Sequence, residues 1–255
     1  MRYFMSFWLG FALAAGLWLA SGWRGDGAHA DFTDLAGVED WMAHYHLKPE
    51  PRRLPQAIET LARAGALEGE ARLKPVAAFV AALIGEDDAT LARLSEAIAE
   101  ARPAKQRLLA EAIALSGRPQ WRRLLTELKR AVPARALEIE TLLAAPEAPV
   151  TLAAAFDDAG VVVDMVFAHF MATGSEAAFQ RILAALAGHF AADDPAAASS
   201  AEKAKVTLSS RVGDDPRLLE LVRGEAEAED EPLARLLRGV LVAAAQQARG
   251  RPSGN

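Results

Sequence analysis

The residues that could do chemistry in this chain are few. His44 and His46 bracket Tyr45, close to Asp40 and Glu50. On a helix, side chains two positions apart point to different faces, so these imidazoles could share a metal only in an extended segment. A four-ligand zinc set is not visible. The pair reads more simply as a polar helix end with one imidazole near the terminal carbonyls. Asp164 and His169 interrupt the most apolar stretch of the chain. They stand about 140° apart around a helix axis and do not face each other. A carboxylate buried there needs a partner on a neighbouring helix, and a shifted pKa would mark a functional group. The two are the best acid–base candidates in the sequence, and a rim position or a satisfied structural contact is the simpler account. His189 lies near a helix end and reads as a partner for its last carbonyls.

Other chemistry is missing by motif. Neither G-x-S-x-G nor S-x-x-K occurs, and Ser199, Ser200, Ser209 and Ser210 read as helix-end residues. The pairs Asp87–Asp88, Asp157–Asp158, Asp193–Asp194 and Asp214–Asp215 carry oxygen donors of the kind calcium takes. Each precedes a helix, however, where an aspartate caps free amides. No phosphate loop and no G-x-G-x-x-G is present. Arg52–Arg53 and Arg122–Arg123 read as solvated faces. The acidic run Glu225 to Glu231 reads as a solvated helix end or a surface for a basic partner. With no cysteine, the chain has no disulfide, thiolate–zinc site, thiol nucleophile or lipoprotein anchor. A net charge of −6 lacks the basic excess of a nucleic-acid binder. The sequence therefore assigns no catalytic, cofactor-binding or metal-binding residue and no cofactor.

Helices must position whatever chemistry there is. The chain has 255 residues, of which 52% are hydrophobic, 24% charged and only 7% aromatic. The apolar content is mostly alanine and leucine, which favour helix, and the strongly β-branched run Val161 to Val163 leads into a helical pattern. The stretch from Val161 to Phe190 organises the rest, as two helical segments with Gly174 and Ser175 at the joint. Its first half is apolar nearly all round and predicts a central buried helix. In its second half Phe179, Ile182, Leu183, Leu186 and Phe190 share one stripe.

Upstream, Leu35, Val38, Trp41, Met42 and Tyr45 form a stripe that Pro49 and Pro51 close. Leu54, Ile58 and Leu61 mark the next helix, ended by Gly65. A helix over 70–84 contains Pro75 and must start at Lys74 or kink there. Asp87 or Asp88 caps a helix reaching Ala101, and Pro103, Pro119 and Pro133 each open another. Downstream, Asp193-Asp194-Pro195 and Asp214-Asp215-Pro216 are twin helix starts, and a last helix spans about 231–248. Roughly eleven helices with short links predict an all-α fold of stacked antiparallel helical hairpins, an irregular α-solenoid, with a compact multi-helix bundle as the alternative.

Arg2, the apolar run Phe4 to Ala20 and the A-x-A site Ala28-His29-Ala30 predict a signal peptide over 1–30, cleaved before Asp31. The alternative is an uncleaved anchor, since the run extended to Trp23 approaches the ~20 residues that span a bilayer. The expected plan continues with an all-helical domain over 31–248 and a disordered tail over 249–255.

Trp41, Tyr45, Pro49, Pro51, Pro55, Ala57-Ile58, Leu61 and Pro75-Val76-Ala77-Ala78-Phe79 carry a resemblance. So do Asp164-Met165-Val166-Phe167, Phe170-Met171-Ala172-Thr173-Gly174, Arg181-Ile182 and Leu186. Together they resemble a family of uncharacterised bacterial exported all-helical proteins of the tetratricopeptide or HEAT-like kind. The resemblance implies export and a helical repeat, and brings no activity. A lipid anchor, found in some members, does not carry over to a chain without cysteine. The leading expectation is a non-enzymatic protein in the periplasm that binds another envelope protein or peptide, or serves as a scaffold. The alternatives are an envelope hydrolase acting on peptidoglycan or peptide through Asp164, or a membrane-tethered structural subunit.

Overall fold

A computed structural model describes residues 32–147, 150–157, 159–190, 194–227 and 232–250. The expected signal peptide, Asp158, Asp193, the end of the acidic run from 228 to 231, and tail residues 251–255 lie outside the described residues. Within them the chain forms twelve α-helices and no strand, which makes the fold all-α. In order these are α1 (Leu35–Ala43), α2 (Leu54–Arg63), α3 (Glu70–Glu86), α4 (Asp88–Ser95), α5 (Pro103–Leu115) and α6 (Trp121–Ala131). They continue as α7 (Ala136–Leu143), α8 (Val161–Thr173), α9 (Glu176–Ala187), α10 (Pro195–Arg211), α11 (Pro216–Glu227) and α12 (Pro232–Gly250). No helix among the described residues is long and apolar enough to cross a membrane.

Helix starts follow the side chains that can accept from free amides. Asp34 takes the Gly37 amide at 2.8 Å, Asp87 that of Ala89 at 2.8 Å, and Ser175 that of Ala178 at 3.2 Å. Asp194 accepts from Ala196 and Ala197, with Pro195 at the first helical position. The helix expected over 70–84 begins at Glu70 and carries Pro75 inside it. Two boundaries differ from expectation. First, the helix expected to reach Ala101 stops at Ser95, where Ala97 turns left-handed (φ 52°) into a 3₁₀ turn over Ile98–Glu100. The Gln106 amide holds that turn by donating to the Ile98 and Ala99 carbonyls at 3.1 and 3.2 Å. Second, α12 continues through Arg249 and Gly250, into the expected tail.

Two apolar cores sit side by side, and α8 belongs to both. Met165, Ala168 and Ala172 face the first, with Trp41, Tyr45, Phe79, Leu108 and Ile113. Val162, Val166, Phe167 and Phe170 face the second, with Phe179, Ile182, Leu186, Leu208, Leu218 and Leu237. This is why α8 is apolar nearly all round: a helix with one core keeps a polar face, and this one has none to keep. Its closest partner is α3, which lies between α8 and α5. Trp41, Tyr45 and Phe79 meet edge to face at the centre of the first core, with Tyr45 5.1 Å from Trp41 and 5.4 Å from Phe79.

Candidate functional site

Buried polar groups gather where the two cores meet. The 3₁₀ turn Tyr45–Leu47 leaves α1 with Tyr45 locked into the first core, which turns His46 towards α8 and the head of α11. There the imidazole is 3% exposed and Asp215 is 8% exposed. His46 Nε2 lies 3.2 Å from Asp215 Oδ2, and its Nδ1 lies 3.3 Å from the Met171 carbonyl oxygen. The Phe170 ring flanks the imidazole at 5.2 Å. Gly174 stands against it with φ +64°, and a Cβ there would lie 3.0 Å from His46 Cδ2. Asp215 also caps α11, taking the Leu218 amide at 3.0 Å. Burial pushes its carboxyl up, but the bonds from His46 and from the Leu218 and Arg217 amides outweigh that and hold it below the usual range. Burial pulls the pKa of Arg211 at the end of α10 down, and the charges of Asp164, Asp215, Glu39 and Asp214 oppose that shift.

Asp164 is tied into the same seam. Its carboxylate lies 3.0 Å from Lys203 Nζ of α10, and burial still pushes its pKa up against the pull of that cation. Asp157 heads α8 by accepting the Val161 amide at 2.9 Å, and its carbonyl accepts the Ser200 hydroxyl at 2.9 Å. His169 is not brought to Asp164. It is partly buried on α8, its pKa is lowered by that burial, and Glu86 opposes the shift.

Several residues sit differently from their expected places. His44 does bond a terminal carbonyl, Asp40 O at 2.9 Å, and the Asp40 side chain raises its pKa. His46 was expected to share that polar helix end and is instead buried against a residue 169 positions away. Ser200 lies inside α10 and is fully buried. The arginine spots are more than solvated faces. Arg53 pairs with Glu50 at 3.0 Å and lies over the Phe32 ring at 4.1 Å. Arg122 covers Trp121 and donates to the Ala145 and Pro146 carbonyls. Among the described residues, no group of three or more histidine, cysteine or carboxylate side chains could hold a metal ion.

Between Ile58, Val80, Leu94 and Leu109 there is a void of about 10 Å³, space for a single water at most. The larger concavity is elsewhere, an open groove of about 470 Å³ along α12. Leu236, Gly239, Val240 and Ala243 of α12 form its floor, Lys205 and Ser209 of α10 one wall, and His189 with Phe190 the end. Phe190, expected on the buried stripe of α9, is 48% exposed here. The helix ends at Ala187 and a 3₁₀ turn over Gly188–Phe190 carries the ring outward. Close approach of α10 requires that turn's glycine, since a Cβ at Gly188 would lie 2.7 Å from the Ala197 carbonyl oxygen. Gly239 adds depth, because nothing lies within 4 Å of where its Cβ would be. Arg235 and Lys205 put cations on the rim, and among the described residues no carboxylate lines the groove.

No family model, no curated protein and no solved structure matches the chain.

Proposed function

We propose that this chain is an exported helical-hairpin protein of the bacterial envelope that binds a segment of another polypeptide, and that it works by binding and not by catalysis. The observation that carries this reading is the groove between α10 and α12. Its apolar floor, exposed Phe190 and the cations Lys205 and Arg235 suit a segment that offers apolar anchors together with carboxylates. Its volume is in the range of concavities that bury a small ligand or a few anchoring side chains. The order of packing supports a stack of hairpins: α1 lies on α2, α5 on α6, α6 on α7, α8 on α9, α9 on α10 and α11 on α12. Export rests on the apolar run Phe4 to Ala20 and the Ala28-His29-Ala30 site, and on the family resemblance. Against catalysis, the Asp164 carboxylate is engaged by Lys203, and His169 stands apart from it.

A photo-cross-linking residue placed at Gly239, and at the exposed Leu137 of α7 as a control, tests the reading in the native envelope. A discrete adduct from position 239 alone, lost in Arg235→Glu, supports groove binding. Equal adducts from both positions, or none from 239 across growth conditions, refutes it.

A further inference from the structure

Both nitrogens of the His46 ring face oxygen acceptors. Nδ1 meets the Met171 carbonyl at 3.3 Å, and Nε2 meets the Asp215 carboxylate at 3.2 Å. A neutral imidazole donates from one nitrogen only and would turn a lone pair on the other acceptor. Burial to 3% leaves water little room to intervene. The arrangement is satisfied when the pair holds two protons, one on Nδ1 and one between Nε2 and Asp215. We propose that His46 and Asp215 form a proton-dependent latch between the two cores. The latch is closed while the pair holds both protons, and losing one releases the Tyr45–Leu47 turn from the head of α11.

The position of the pair makes it a joint. Tyr45, one residue away, is anchored with Trp41 and Phe79 in the first core. Leu218 and Val222 of the helix that Asp215 caps are buried in the second. The charge of Asp215 also acts on Arg211 at the end of α10, as do those of Asp164 of α8, Glu39 of α1 and Asp214. From α8 the ring meets the Phe170 ring and the Met171 carbonyl, both neutral. His44 also senses Asp215, but its own bonds are to Asp40. Histidine pairs of this kind are a general means of making an interface respond to pH.

The test follows the His46 ring nitrogens by NMR as pH is raised. It also follows hydrogen-exchange protection of the Leu47 and Lys48 amides, which bond to the His44 carbonyl within the same turn. In the wild-type protein, protection should fall roughly tenfold as the ring loses its second proton, the change expected for one lost charge-assisted bond. Asp215→Asn keeps the helix cap, and its amide can donate to a neutral Nε2. In that variant the ring should titrate with protection unchanged. His46→Gln, which cannot titrate, should give flat protection and covers the case in which Asp215→Asn fails to fold. Wild-type protection that stays level through the titration, or variants that follow the wild type, overturns the proposal. So does a ring that never holds a second proton in the folded protein.

Discussion

Gly174→Ala separates the contact at the His46 ring from ordinary backbone strain. Gly174 ends α8 with φ +64°, and an alanine held in that left-handed region costs about 1–2 kcal/mol. Gly117 supplies the control. It has φ +68° and nothing within 4 Å of a would-be Cβ, so its alanine variant carries the strain alone. At Gly174 the new methyl would stand 3.0 Å from His46 Cδ2, and the ring must move by a few tenths of an ångström. The ring has little slack to give. Its bonds, 3.2 Å to Asp215 and 3.3 Å to Met171, are already at the long end of the hydrogen-bond range. Losing a buried charge-assisted bond costs roughly 1.5–3 kcal/mol. The expected totals are about 1 kcal/mol for Gly117→Ala and about 3 kcal/mol for Gly174→Ala. Urea unfolding of the three proteins side by side, followed by far-ultraviolet circular dichroism, measures the difference. Equal losses would show that the imidazole yields freely, and that the contact of Gly174 with His46 contributes nothing to the joint.

Two further predictions concern pH. The folded-state pKa of Asp215 is depressed, so its contribution is present above the unfolded value near 3.8 and is lost as pH falls through the folded value. The stability gap between the wild type and Asp215→Asn should therefore close in that acidic window, as acid unfolding curves of the two would report. Asp164 has the opposite sign. Its folded pKa is raised, so what it contributes is full below 3.8 and is lost as pH rises through the folded value. Removing its partner with Lys203→Met should then cost more than Asp164→Asn, with the difference widening as pH rises, in the same unfolding assay. A Lys203→Met cost equal to that of Asp164→Asn at every pH would mean that water already neutralises the pair.

Much of the fold could be read in advance because helix signals are local. The Asp87 and Asp194 caps, the stop at Gly117 and the joint at Gly174–Ser175 all depend on side chains within three residues of the backbone groups they serve. The misread boundaries are places where a distant or tertiary contact outweighs local preference. Nothing near Ala97 in the sequence demands a left-handed residue. The turn there is held by Gln106, near the start of the next helix. Pro75 lies inside α3, which packs against both α5 and α8. Phe190 fits the α9 stripe by spacing, and only the close approach of α10 at Gly188 turns it outward.

The candidate sites lay further from view for the same reason. Periodicity identified α8 as the buried centre, and its two polar interruptions drew attention to Asp164 and His169. The residue that matters most at the seam, His46, looked like one more polar group at a helix end. Its partner is 169 positions downstream and itself looked like a cap, which it also is. A single carboxylate thus starts a helix for the second core and receives a buried imidazole from a turn anchored in the first. Local rules account fully for the first role, so they give no reason to look for the second. The apolar surface of α8 could have pointed further. A helix with no polar face must be covered on both sides, so segments from both ends of the chain have to meet around it. Any ionisable side chain in those segments that ends up inside must then find its partner across the seam, and His46 finds Asp215 there.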